Sequence, residues 1–143
     1  MLFFVDGNKL GTDERHGLTT EIKILIRSLL EGGVLRNNQR IGIVLTKYDQ
    51  VDVSPVKQRI EADFNKLVSQ IRDSYGPKLA AVKDFRIAAR PDNEDFELRF
   101  GIVGLLEECF KAPPVTRYVA DPVSYPDRAF LHLHVPVESP NEP

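Results

Sequence analysis

Ile41-Gly42-Ile43-Val44-Leu45-Thr46-Lys47-Tyr48-Asp49 is the stretch from which the architecture can be read. It is an apolar run that turns abruptly polar at Thr46. No polar alternation interrupts Ile41–Leu45, so both of its faces are expected to be covered, as in a parallel sheet flanked by helices. Open sheets of that kind bind ligands beyond the carboxyl ends of their strands. Thr46-Lys47-Tyr48-Asp49 therefore stands at a ligand-binding position.

Toward the amino terminus, Leu2-Phe3-Phe4-Val5 is a second apolar run and reads as a strand buried on both faces. Asp6 terminates it, and Asp6-Gly7-Asn8 marks a turn. Residues 8–17 are polar, contain Gly11 and Gly17, and read as a loop. A helix is expected over Thr19–Glu31, where Leu18, Ile22, Leu25 and Leu29 fall at helical spacing and Ile26 and Leu30 widen the stripe. Thr19 or Thr20 is placed to cap it, and Gly32-Gly33 to stop it.

Toward the carboxyl terminus, Ser54 and Pro55 suit the N-cap and first position of a long helix. Val56, Ile60, Phe64, Leu67, Ile71 and Tyr75 form its apolar stripe, and Gly76-Pro77 ends it. A third strand is expected at Phe85–Ala89, breaking at Arg90-Pro91. Asp92–Glu97 reads as a solvated acidic loop. A last helix runs from Gly101 to Lys111, with Ile102, Val103, Leu105, Leu106, Cys109 and Phe110 mostly on its inner side. Strand, helix, strand, helix, strand, helix is the order of an α/β fold with a parallel sheet. Residues 113–143 differ. They are rich in proline and show little periodicity, although Phe130–Val135 reads as one edge strand and Glu138–Pro143 as a disordered end.

The bulk numbers exclude several classes. A chain of 143 residues, 42% apolar and 28% charged, suits one ordinary globular domain. The net charge of -2 leaves no basic excess to neutralise a phosphate backbone, so a nucleic-acid partner is not expected. Cys109 is the single cysteine, which rules out an internal disulfide and fits an intracellular compartment. Met1–Val5 meets Asp6 too soon for a signal peptide, and no run is long enough to span a bilayer. A cytoplasmic location without membrane contact is the expectation.

A carboxylate fixed in a strand-end loop offers two acceptor oxygens. The Watson–Crick edge of guanine offers two adjacent donors, whereas adenine presents an acceptor at the ring position. Asp49 can thus select guanine through a charge-assisted bidentate pair. Lys47 can lay its methylene stem along the base while its ammonium stays wet or finds a carbonyl. Thr46 can tie the loop to a neighbouring strand end. The bland alternatives are that Asp49 caps the following segment and Lys47 is a solvated charge. His132 and His134 share a strand face but lack a third ligand, and Cys109 reads as core.

Thr46-Lys47-Tyr48-Asp49 after a hydrophobic strand resembles the [Asn/Thr]-Lys-x-Asp guanine-specificity motif of GTPases. Ala88-Ala89-Arg90 resembles the later Ser-Ala-Lys motif, with Ala for Ser and Arg for Lys. The wider pattern is an apolar strand ending Val-Asp-Gly, a polar loop, a Leu- and Arg-rich helix, then Val-Leu-Thr-Lys-Tyr-Asp. It resembles the bacterial double-GTPase branch of the TRAFAC GTPases over about residues 2–111. The resemblance implies a partial Rossmann-like P-loop GTPase fold over residues 1–112, with three parallel strands and flanking helices. It also implies that the Ala89 N–H meets the guanine carbonyl oxygen and that Arg90 flanks the base.

The departures matter as much. The sequence contains no Gly-x-x-x-x-Gly-Lys-[Ser/Thr], so it carries no phosphate-cradling loop and no hydroxyl for Mg²⁺. Asp6-Gly7-Asn8-Lys9 fails as an Asp-x-x-Gly motif, because Lys9 stands where glycine is needed. The chain thus resembles the carboxyl-terminal half of a GTPase domain, beginning at its fourth strand. Affinity of the isolated chain for GTP or GDP is expected to be weak or absent, and Mg²⁺ is expected only where an amino-terminal half is supplied. The strand Leu2–Val5 is expected to pair with a second protein chain or in a homodimer. The alternative is a degenerate interaction module that keeps the fold without nucleotide.

Overall fold

In a computed structural model of the chain, residues 1–36, 39–91 and 96–111 are described. The expectations placed on residues 112–143 (the edge strand at Phe130–Val135, His132 with His134, the end at Glu138–Pro143) and on Asp92–Asp95 lie outside them.

The elements are β1 (Leu2–Asp6), α1 (Gly7–Leu10), α2 (Arg15–Glu31), β2 (Arg40–Thr46), α3 (Tyr48–Asp52), α4 (Lys57–Tyr75), a 3₁₀ turn at Gly76–Lys78, β3 (Ala81–Arg86) and α5 (Ile102–Phe110). The three strands form one parallel sheet in the order β1-β2-β3. This is a partial Rossmann-like α/β fold, as the sequence implies. β2 is the middle strand, and Ile41–Leu45 is buried throughout. Its lack of alternation has the expected cause, since apolar layers cover both faces.

The two layers are unequal. On one face Phe3, Val5, Ile41, Ile43 and Leu45 pack against Ile22 and Ile26 of α2 and Ile60, Phe64, Leu67 and Ile71 of α4. Burying a side chain of this size contributes about 1.5–3 kcal/mol, so this layer holds most of the stability. On the other face Val44 and Ile87 meet Leu105 of α5, with Leu2, Phe85 and Ile102 half-buried around them.

That thinner layer corrects two expectations. β1 is not buried on both faces, because Phe4 is 57% exposed on the α5 side. Nor are most apolar residues of α5 on its inner side. Leu105 is buried, whereas Val103, Leu106 and Phe110 are exposed, and Cys109 is exposed rather than core. Among the described residues only the nine-residue α5 lies on this face, too short to cover three strands.

Other boundaries also move. Residues 8–17 are not all loop. Asp6 caps α1 by accepting the Asn8 N–H at 2.9 Å, and Leu10 is fully buried. α2 begins at Arg15, so Thr19 lies inside it and donates its hydroxyl back to the His16 carbonyl. Leu25, counted in the stripe, is exposed. At the end of α2 the left-handed residue is Gly33. Ser54 does not cap α4. It accepts the Val56 N–H in a turn, and α4 starts at Lys57.

The third strand is Ala81–Arg86 rather than Phe85–Ala89. β3 has no strand beyond it among the described residues, so Lys83 and Asp84 are tolerated within it, and their polarity hid its first half. After Arg86 the chain turns away, and Ala88 pairs with Phe100 instead.

Glu108 pins α5 to the amino ends of the strands. It receives Lys83 and Lys111 at 2.7 Å each and lies 4.0 Å from Arg40. The Lys111 and Lys83 ammoniums hold its carboxyl down to about 2. A carboxyl depressed in the folded state stabilises above its ordinary value of 4.5, and that contribution fades as pH falls toward about 2. Glu108→Gln should therefore show a smaller fall in Tm than wild type over that acid interval, and parallel melting curves would contradict the assignment. Gly101, which precedes α5 at φ 74°, lies so close to the Arg86 carbonyl that a Cβ would overlap it. Gly101→Ala should cost more than about 1 kcal/mol in urea denaturation.

Candidate functional site

Parallel register brings the strand ends level. Asp6 is paired with Thr46 and Leu45 with Arg86. Thr46, at the end of β2, donates its hydroxyl to the Val5 carbonyl at 3.2 Å, tying the loop to β1. Lys47 comes next in the left-handed conformation, at φ 56°. That conformation reverses the chain directly into α3. Its N-cap is Lys47, so Asp49 stands in the first turn and not at the cap. Asp49 is 4% exposed, a buried ionisable side chain.

The second strand end is stitched to the first. The Ile87 N–H donates to the Leu45 carbonyl at 2.9 Å, and the Tyr48 N–H donates to the Ile87 carbonyl at 3.1 Å. Thr46–Asp49 and Ala88-Ala89-Arg90 are thereby brought side by side. Within the latter, the buried Ala88 spends its N–H on the Phe100 carbonyl at 3.1 Å. Ala89 and Arg90 are exposed, and among the described residues no backbone acceptor engages the Ala89 N–H. The Asp49 loop and the exposed Ala89 thus lie on adjacent strand ends.

Lys47 does not simply stay wet. Its ammonium donates to Asp6 at 2.9 Å. Burial raises the Asp6 carboxyl, but the Lys47 hydrogen bond and the Asn8 N–H outweigh that and hold it below its ordinary value. Asp6 thus orients Lys47, a role missed in reading the sequence. The available signal was the alignment of the two strand ends, which sets Asp6 beside Thr46.

Behind the loop, Tyr48 donates its hydroxyl to Glu61 of α4 at 2.6 Å, and burial followed by that hydrogen bond pushes the phenol up to about 12. Glu61 also receives Arg86 at 3.0 Å, and the Arg86 guanidinium lies over the Phe64 ring, 5.3 Å from its centroid. The Tyr48 ring stacks on Phe100 and meets Phe96 edge-on. None of Glu61, Arg86, Phe96 and Phe100 carries a short-range motif, so no local pattern announces them.

The phosphate side is different. The sequence lacks the phosphate-cradling loop, and among the described residues no three His, Cys, Asp or Glu side chains converge to hold a metal ion. No helix among the described residues is long and apolar enough to cross a membrane.

Comparison with known proteins agrees with the resemblance read from the residues. No curated protein and no solved structure matches the chain. The profile of the Double-GTPase 2 family matches residues 1–110, ending where α5 ends. Over that span, which carries the whole sheet and both strand-end loops, the chain belongs to the Double-GTPase 2 family.

Proposed function

We propose that this chain is the base-recognition part of a guanine-nucleotide-binding domain. The reading is carried by one observation, the stitching of Thr46–Asp49 to Ala88–Arg90 through Ile87. It sets the Asp49 loop beside the exposed Ala89. In this reading Asp49 accepts the guanine ring N–H and exocyclic amine, and the Ala89 N–H donates to the guanine carbonyl oxygen. Lys47, anchored by Asp6, lays its stem along the base, Arg90 flanks it, and Ala88 and Thr46 hold the two loops. The phosphates and Mg²⁺ are held by another segment or chain, placed along the outer edge of β1.

A second reading is favoured by that same edge. Among the described residues β1 pairs only with β2, and Phe4 is exposed beside it. Such an edge suits a protein-interaction module that keeps the fold without nucleotide, through a second chain or a second copy.

Melting separates the two. Millimolar GDP with Mg²⁺ should raise Tm by a few degrees, ATP with Mg²⁺ should not, and Asp49→Ala should abolish the rise. No shift with GDP, or an equal shift with ATP, would favour the interaction module. The chain alone should turn over no GTP, because it lacks the phosphate loop. Phosphate release by the wild-type chain that disappears in Asp49→Ala would contradict that expectation.

A further inference from the structure

Among the described residues, two that are not glycine have positive φ, Lys47 at 56° and Arg99 at 69°. Each stands immediately before one ring of an aromatic stack. Tyr48 and Phe100 lie with centroids 5.9 Å apart and planes 11° from parallel. Phe96 closes the group edge-on, 5.0 Å from Phe100 and 6.1 Å from Tyr48. Left-handed backbone at a residue with a side chain is unfavourable and persists only where its surroundings over-determine it. Here both instances deliver a ring to the same contact.

One ring belongs to the first loop of the candidate site, and the other is bridged to the second. Tyr48 lies between Lys47 and Asp49. Phe100 is bridged to Ala88, whose N–H its carbonyl accepts, so moving Phe100 moves the residue before Ala89. The far side of Tyr48 is fixed by Glu61, and the Phe100 backbone is confined by Gly101 against the Arg86 carbonyl. The stack is therefore anchored at both ends to the sheet and to α4. The backbone hydrogen bond that ties the first loop to the second, from Tyr48 to Ile87, lies two residues short of Ala89.

We propose that the Tyr48–Phe100 stack, buttressed by Phe96, is a latch that holds the Asp49 loop and the Ala89 amide in register, making Phe100 a positioning residue for the base. The proposal rests on the guanine reading for its consequence, and on the strain and stacking for its geometry. Phe100 touches Tyr48 and Phe96 and acts on a base only through Ala88 and Ala89.

Two measurements on the full chain test it, comparing wild type, Phe100→Ala and Phe100→Tyr. The first is amide hydrogen exchange without nucleotide. Phe100→Ala should lose about tenfold protection at Tyr48, Ile87 and Ala88, whose N–H groups are hydrogen-bonded, with α4 unchanged, and Phe100→Tyr, which keeps the ring, should retain it. Unchanged protection in Phe100→Ala, or equal loss in α4, overturns the latch. The second is affinity for GDP against 6-thio-GDP, which keeps both donors facing Asp49 but presents a weaker acceptor to Ala89. Phe100→Ala should reduce the wild-type preference for GDP about five-fold, the scale of one neutral hydrogen bond. General loosening would lower both affinities equally and leave the preference unchanged, which overturns the positioning role. If the wild-type chain binds neither nucleotide, the guanine reading fails and the positioning role with it. The exchange result still decides whether the latch exists.

Discussion

The double ladder of β2 is the constraint on which the site depends. Its backbone is hydrogen-bonded to β1 on one side and β3 on the other, and both partners are parallel to it. A slip of one residue would turn Ile41, Ile43 and Leu45 away from the layer made by α2 and α4 and toward the thinner layer under α5. The core therefore forbids the slip. With the register fixed, the three carboxyl ends are fixed relative to one another. Asp6 then reaches Lys47, Thr46 reaches Val5, and Ile87 spans between Leu45 and Tyr48.

Magnitudes show what keeps the first loop in place. Left-handed backbone at Lys47 costs about 1–2 kcal/mol. The Lys47–Asp6 ion pair is partly exposed on both sides, and such pairs contribute about 0–1 kcal/mol, too little to offset that cost. The compensation lies in α3, the helix that Lys47 opens. Val51 of α3 is fully buried, worth about 1.5–3 kcal/mol, and the Tyr48 stack adds about 0.5–1.5 kcal/mol. Lys47 is thus oriented by Asp6 but held in its conformation by the packing of α3 and Tyr48.

The legible parts of the fold were those written in local periodicity. Ile41–Leu45 and the stripe from Ile60 to Ile71 appear as read, because each packs on a continuous apolar surface. The start of β3 was hidden by Lys83 and Asp84, whose charges are answered by Arg86 at its end and by Glu108 and Arg72, which lie outside any short window around β3. α5 was misread in the opposite sense. Its sequence is apolar on several sides, and nothing in it says that only Leu105 would be buried, with Ile102 half-covered beside it. The loops of the site were legible as motifs, whereas Asp6, Glu61, Phe96 and Phe100 were not. Their roles arise from tertiary pairing, through strand alignment for Asp6 and ring stacking for Phe96 and Phe100. Membership of the Double-GTPase 2 family over residues 1–110 agrees with the motif reading and leaves the occupant of the site to experiment.

Whether these two strand ends read guanine can be asked of the base without any phosphate site. Backbone amide spectra of the labelled full chain, recorded while GMP and then AMP are added, address it residue by residue. GMP should displace the resonances of residues 46–49 and 88–90 selectively, Ala89 most of all, and AMP should leave them in place. Identical responses to GMP and AMP, or displacements confined to residues away from these loops, would contradict guanine recognition at this site.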